Sequence, residues 1–233
     1  MVVLGLRLAG FRRGMATSAT PRFPSYLVTP RQLNEALQSH RPSKLSTAPR
    51  IVPLCGAWFM PNDPDARNGR GAFKAERIPS ARFFDLDKVC DTSSPFPHML
   101  PDAALFAKEM GKLGIHPDDE VVVYDTKELG IFSAPRVAWT LRVFGHRSVY
   151  ILNNFRLWVE EGLPTESGDS ATPEPVEYPV PAERDDASVI GFSELRETVL
   201  DQNKEGATPI QILDVWEQPE TTKLSTEFGV WLG

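Results

Sequence analysis

Cysteine is nearly missing from this chain. Only Cys55 and Cys90 occur among 233 residues, too few and too far apart for a disulfide framework or a thiolate zinc site. Histidine is as scarce, at four, and no two stand at i,i+4, so no metal-ligating motif is formed. No apolar run reaches the length of a membrane span. Positive charge is not in excess either: the formal net charge of −6 argues against a general nucleic-acid binder. Acid is absent from the start of the chain, where Glu35 is the first, and arginine is absent after Arg196.

The missing acid at the N-terminus has a positive counterpart. "MVVLGLRLAGFRRGMATSAT" carries Arg7, Arg12 and Arg13 with several small hydroxyl residues. Arginine-bearing, serine-containing and acid-free is the pattern of a mitochondrial transit peptide. Residues 1–22 are therefore expected to be a targeting segment and the protein to reside in the mitochondrial matrix.

The remainder has an ordinary globular composition, 41% hydrophobic and 24% charged. Helical and strand patterns alternate along it. "TPRQLNEALQSH" opens with Thr29 as N-cap and Pro30 at the first helical position, with Leu33, Ala36 and Leu37 on one face. Strands are expected at Arg50–Leu54, Ala81–Asp87 and Ser148–Leu152, and helices over "DAALFAKEMGKLGI", "APRVAWTLRVFG" and "FRLWVEEG". "EVVVYD", ending at Asp125, has no polar face and reads as a central parallel strand. Such alternation predicts an α/β domain with a parallel sheet flanked by helices. After "VVVYD" comes a short polar loop, Thr126 to Gly130, and then a helix: a cradle of N–H groups suited to an anion. The residue offered to that cradle is itself an anion, Asp125.

From Pro164 to Asp186 the chain holds five prolines and seven acids, which reads as an interdomain linker. Beyond it the opening pattern returns. Leu195 and Val199 in "GFSELRETVL" match Leu33 and Leu37, and "IQIL" matches the strand "IVPL". An internal repeat accounts for both. The expected organisation is a targeting segment over residues 1–22, a domain over 23–163, a linker over 164–187 and an incomplete second copy over 188–233.

"WFMP", "ERIPSARFFDLD", "SSPFPHMLPD", "VVVYD", "FSAPRVAWTLRVFGH" and "GLP" together resemble the N-terminal domain of the two-domain rhodanese family, the thiosulfate and 3-mercaptopyruvate sulfurtransferases. The resemblance covers Tyr26 to Gly168 well and Ile190 to Asp214 more weakly. It implies two rhodanese domains related by duplication. In the second, a cysteine at the end of the central strand takes sulfane sulfur from a small anionic donor as a persulfide and passes it to a thiophilic acceptor. In the first, the cradle is a degenerate copy, and Asp125 occupies the cysteine's place as a structural cap with no part in catalysis. No catalytic residue is then expected in this chain. The second copy's cysteine loop would fall some distance past Gly233, and its substrate-clamping arginines find no counterpart in "ILDVWEQPETTKLSTEFGVWLG".

The resemblance also implies that Trp58, Pro61 and His98 line the cleft facing the second domain, with Phe132 where mercaptopyruvate enzymes often carry tyrosine. Arg136 and Arg142, two signature residues, are expected to pair with acids. Arg77 and Ser80 replace a histidine and a glycine of the family's turn, a change expected only to retune it. Cys55 is expected to be a small buried residue, and Cys90 to lie in an exposed, oxidisable loop. Neither the residues nor the resemblance calls for a cofactor or a metal. A non-catalytic binding or regulatory module using the cradle is the competing reading. A phosphatase of related fold would need a cysteine followed six residues later by arginine, which the cradle loop lacks.

Overall fold

A computed structural model describes residues 22–39, 49–182, 185 and 188–201. Five strands form one sheet in the order β1-β5-β4-β2-β3, every neighbouring pair parallel. They are β1 (Leu27–Val28), β2 (Ile51–Cys55), β3 (Arg82–Phe83), β4 (Glu120–Tyr124) and β5 (Val149–Leu152). The helices are α1 (Pro30–Ser39), α2 (Gly69–Ala75), α3 (Ala103–Lys112), α4 (Ala134–Val143), α5 (Phe155–Glu160) and α6 (Phe192–Asp201). The expected α/β architecture with a central parallel sheet is present.

The apolar run of β4 follows from its place. It is the middle strand, buried along its whole length, and its side chains alternate between two cores. Val121 and Val123 point to one core with Phe106, Met110, Val137 and Leu141, from α3 and α4. Val122 and Tyr124 point to the other with Leu33, Phe73, Phe155 and Trp158, from α1, α2 and α5. A polar residue at any of these positions would face one of two cores, so none is tolerated.

Local signals set most helix ends. Thr29 Oγ1 accepts the Gln32 N–H at 3.3 Å while Gln32 Oε1 accepts the Thr29 N–H at 2.9 Å, a reciprocal capping box. Asp102 caps α3 through the Leu105 N–H at 2.7 Å. Gly145 ends α4 with φ +80°, a left-handed conformation that costs glycine nothing.

Three elements differ from their sequence patterns. Ala81–Asp87 was expected as a strand, yet only Arg82–Phe83 pairs. β3 is an edge strand bonded to β2 alone, and the chain turns away when the Lys88 and Val89 N–H groups bond back to the Asp85 carbonyl at 3.0 and 2.9 Å. β1 and α2 escape the pattern reading altogether, β1 being two residues long and α2 carrying two glycines in "GRGAFKA".

The proline-rich segment is extended, and it is also bound to the domain. Arg77 and Glu166 exchange backbone hydrogen bonds of 2.9 Å, the Gly168 N–H reaches the Lys74 carbonyl at 2.8 Å, and the Val176 N–H reaches the Gly111 carbonyl at 2.9 Å. Tyr178 inserts into the core, 8% exposed, edge-on to Phe106. Gly111 and Gly114 allow this approach: a Cβ on either would lie 2.5 Å from the carbonyl oxygen of Val176 or Glu174. Residues 164–182 thus form a strap laid along the domain. The helix of the repeated pattern is present as α6, with Phe192 and Leu200 exposed. The strand expected at Ile210–Leu213 and residues 1–21 lie outside the described residues.

Candidate functional site

Asp125 follows β4 directly and is 1% exposed. One of its oxygens, Oδ2, accepts the N–H groups of Phe132 at 2.6 Å and Ala134 at 2.9 Å, and Oδ1 accepts the Ser133 hydroxyl at 2.8 Å. Ser133, at the N-cap position of α4, makes no side-chain cap of its own. Pro135 follows at the start of the helix, so one N–H is missing there by chemistry. The first N–H of the helix, that of Ala134, and the Phe132 N–H just before the N-cap are therefore satisfied by the carboxylate that follows β4. Burial pushes the Asp125 carboxyl above its usual value, while the N–H groups of Ala134 and Phe132 and the Ser133 hydroxyl pull the other way. The cradle holds an anion, and that anion is part of the chain.

A second polar group lies one hydrogen bond away. The Ser133 Oγ accepts the backbone N–H of Trp58 at 3.0 Å. The Trp58 indole Nε1–H donates to Asp87 Oδ1 at 2.9 Å, and His98 Nε2 stands 2.8 Å from the same oxygen. The Trp58 and His98 rings meet edge to face at 4.8 Å. His98 Nε2 facing a carboxylate must carry a proton, which leaves Nδ1 of the neutral ring as the lone pair. His98 has φ +56°, and its carbonyl accepts a guanidinium N–H of Arg136. Trp58 and His98 are thus brought together. Asp87, which joins them, was not singled out in the sequence. Its signal is the alternation in "FFDLD": Phe84 and Leu86 are buried, so Asp85 and Asp87 turn outward.

An apolar rim completes this end of the domain. Phe132, Ile131 and Met60 are 52%, 42% and 41% exposed, large values for such side chains. Phe132, Met60 and Phe59 line a cavity of about 350 Å³ together with Glu128 and the Arg67–Asp63 ion pair. The Arg67 guanidinium, bonded to both Asp63 oxygens, holds that carboxyl at about 2. Pro61 is exposed beside the cavity.

Four expectations are corrected or refined. Cys90 is not an exposed loop thiol: it is 7% exposed and donates to the Asp87 carbonyl at 3.3 Å. Burial pushes its thiol up, as it does more strongly for the fully buried Cys55. Arg136 and Arg142 form no ion pair among the described residues. Arg136 stacks on the Trp139 ring at 4.8 Å and Arg142 on the Tyr26 ring at 4.9 Å, each guanidinium held by the face of an aromatic ring. Arg77 does more than retune a turn. It is 3% exposed and donates to the strap at the Gly168 carbonyl, 2.7 Å away. Ser80 takes the glycine-like conformation of the turn it occupies, φ +59°. Among the described residues no cluster of ligands could hold a metal ion.

No protein-family model matches the chain. It is 45% identical over 132 residues to the "Probable 3-mercaptopyruvate sulfurtransferase" of Schizosaccharomyces pombe, covering 56% of this chain and 43% of that protein. It is 41% identical over 159 residues to the "Thiosulfate sulfurtransferase" of Cricetulus griseus, covering 68% of this chain and 50% of that one. The chain thus spans about half the length of the curated relatives it matches. Among solved structures, SseA from Escherichia coli, described as having the "Rhodanese" fold of 3-mercaptopyruvate sulfotransferases, aligns with a TM-score of 0.65 and 30% identity, covering 76% of this chain and 63% of that one. By sequence and by fold, the chain belongs to the family of the 3-mercaptopyruvate and thiosulfate sulfurtransferases.

Proposed function

We propose that residues 23–163, with the strap, are the sulfur-non-carrying domain of a two-domain sulfurtransferase. Its donor is a small sulfur anion, thiosulfate or 3-mercaptopyruvate, and its acceptor a thiophile. The observation that carries this reading is Asp125 seated on the Phe132 and Ala134 N–H groups. A nucleophilic thiolate at neutral pH needs converging N–H groups and a helix N-terminus. Here those groups are already taken by a carboxylate, which repels an anionic donor and is a poor nucleophile toward sulfur. Cys55 and Cys90 are buried, each meeting one backbone N–H, of Ala57 and of His98, and burial pushes both thiols up. The sulfur carrier is then a cysteine of a facing domain, to which this one offers the Phe132–Met60 rim and the Asp87–His98 couple. His98, whose Nδ1 meets no hydrogen-bond partner among the described residues, is placed to accept or return a proton as sulfur moves.

The 233-residue chain alone is expected to form no thiocyanate from thiosulfate and cyanide. A fusion of residues 23–182 to the second half of the S. pombe relative is expected to turn over and to lose most of that turnover on His98→Asn. A folded, inactive fusion, or full activity of the His98→Asn fusion, overturns the reading. The competing reading, a binding module without catalysis, is favoured by the same occupied cradle and predicts the inactive fusion.

The acid-free start supports a mitochondrial matrix address for residues 1–22. Fused to a fluorescent reporter, they are expected to direct it to mitochondria. A cytosolic signal would refute that address.

A further inference from the structure

The degenerate cradle and the Asp87–His98 couple are joined by hydrogen bonds on either side of Trp58, one from its backbone N–H and one from its indole. Asp125 Oδ1 takes the Ser133 hydroxyl proton, so the Ser133 oxygen is left with lone pairs only, and one of them receives the Trp58 N–H. Trp58, held there by its backbone, sends its indole N–H to Asp87 Oδ1, the oxygen that also faces His98 Nε2. A second route runs through α4. Its first turn is held by Asp125, and three residues after Ser133 the guanidinium of Arg136 grips the His98 carbonyl.

We propose that Asp125 is a positioning residue for the Asp87–His98 couple, acting through Ser133 and Trp58 and through the first turn of α4. A simple helix cap explains Oδ2, which meets both backbone N–H groups. It does not call for the Ser133 hydroxyl on Oδ1, a side-chain donor added to the backbone N–H groups that meet this carboxylate. The direction of that bond matters. A carboxylate has no proton to give, so it forces Ser133 to donate inward and to accept from Trp58. An amide at the same place could present its NH₂ to Ser133 and reverse the bond.

The far end needs such guidance. The Asp87 side chain is 66% exposed, and an exposed carboxylate rotates freely unless held. Two donors on one oxygen hold it, and the indole is the one fixed to the rest of the domain. His98 sits in a left-handed conformation that a non-glycine residue keeps only when its surroundings over-determine it, and the Arg136 contact at its carbonyl supplies that. Copying a cysteine cradle and filling it with a carboxylate thus produces an anchor for the proton-handling pair at the same face. The inference rests on the sulfurtransferase reading for the word positioning, while its geometry stands without it.

The test uses the full 233-residue chain, labelled with ¹⁵N, and reads two signals by NMR: hydrogen exchange at the Trp58 indole N–H and the ring ¹⁵N shifts of His98. In the unaltered chain His98 is expected as the Nε2–H tautomer. In Asp125→Asn and in Ser133→Ala the Trp58 indole should exchange at least about tenfold faster, the factor that loss of one ordinary hydrogen bond gives. The His98 ring shifts should move toward averaged tautomers. Ser133→Thr, which keeps the hydroxyl, should restore both signals, and the Trp158 indole, bonded to the Pro164 carbonyl in the other core, should serve as an unmoved control. Unchanged His98 and Trp58 signals in both variants overturn the proposal. Should either variant fail to fold, Trp58→Phe decides, since it removes the indole donor while keeping an aromatic ring against His98; unaltered His98 ring shifts there overturn the proposal equally. None of these readouts depends on sulfur transfer, so a failed activity assay would not be mistaken for a failed anchor.

Discussion

Replacing Asp125 by alanine removes the acceptor for three donors at the start of α4, and the structure sets the size of the effect. The Ala134 N–H and the Ser133 hydroxyl belong to residues 1% and 5% exposed, so neither finds water easily. Each buried donor left unpaired costs about 1–3 kcal/mol. The Phe132 N–H belongs to a half-exposed residue and is resolvated at small cost. Loss of a negative charge at a helix N-terminus adds about 0.3–1 kcal/mol. Against this stands the carboxylate's own desolvation, the reason its proton affinity is raised, which the substitution relieves. The balance is a loss of about 2–4 kcal/mol, or about 4–16 °C in Tm for a domain of this size. Urea unfolding followed by circular dichroism measures it, with Asp125→Ser as a partner variant whose hydroxyl accepts one N–H and recovers part of the loss. A fall of under about 0.5 kcal/mol in Asp125→Ala would refute the argument, because the donors would then have other acceptors.

Two further predictions concern the strap. His146 Nε2 donates to the Asp119 carbonyl at 2.8 Å, so Nδ1 accepts the Tyr178 hydroxyl at 3.0 Å, and burial holds the imidazole below its usual 6.5. The unfolded chain therefore binds a proton that the folded one refuses: the contribution of this group is complete above pH 6.5 and is lost as pH falls below it, by up to about 1.4 kcal/mol per pH unit. Stability measured between pH 7 and pH 5 should show that slope, and His146→Gln should flatten it; an equal slope in both proteins contradicts the assignment. Gly111→Ala places a Cβ where 2.5 Å separates it from the Val176 carbonyl oxygen, and backbone cannot yield as a side-chain tip can. Limited proteolysis should then cut within residues 164–182 several-fold faster than in the unaltered chain, and an unchanged cleavage rate would mean the strap is not held at Gly111.

The sheet's centre was legible because β4 is buried on both faces, which leaves an apolar run that nothing else explains. The helix caps at Thr29 and Asp102 and the stop at Gly145 are likewise local, one side chain or one dihedral each. β1 and β3 were not legible at their true lengths, since a two-residue edge strand is defined by its neighbour's hydrogen bonds and not by its own composition. The strap was half legible. Its prolines announced extended chain, but the glycines that admit it lie on α3 and just past its end, some sixty residues earlier, and Tyr178 shows no periodicity. At the candidate site, Trp58, His98 and Asp125 could be named from motifs, whereas Asp87 and Ser133 emerged only in space. Hydrogen bonds spanning 11, 29 and 75 residues join them, and no local pattern encodes such distances. The misreading of Arg136 and Arg142 has the same origin: sequence shows charge, while the structure shows which rings lie within reach.

Asp125 puts a carboxylate on the N–H groups of this cradle, where a sulfur carrier would need a thiolate. The most direct measurement is the intact mass of the purified 233-residue chain after incubation with thiosulfate or 3-mercaptopyruvate, followed by peptide mapping. The account predicts no added sulfur atom on the unaltered chain, with Cys55 and Cys90 both recovered as thiols. One added sulfur on either cysteine, discharged by cyanide and absent from the matching serine variant, would contradict it and make that cysteine the carrier.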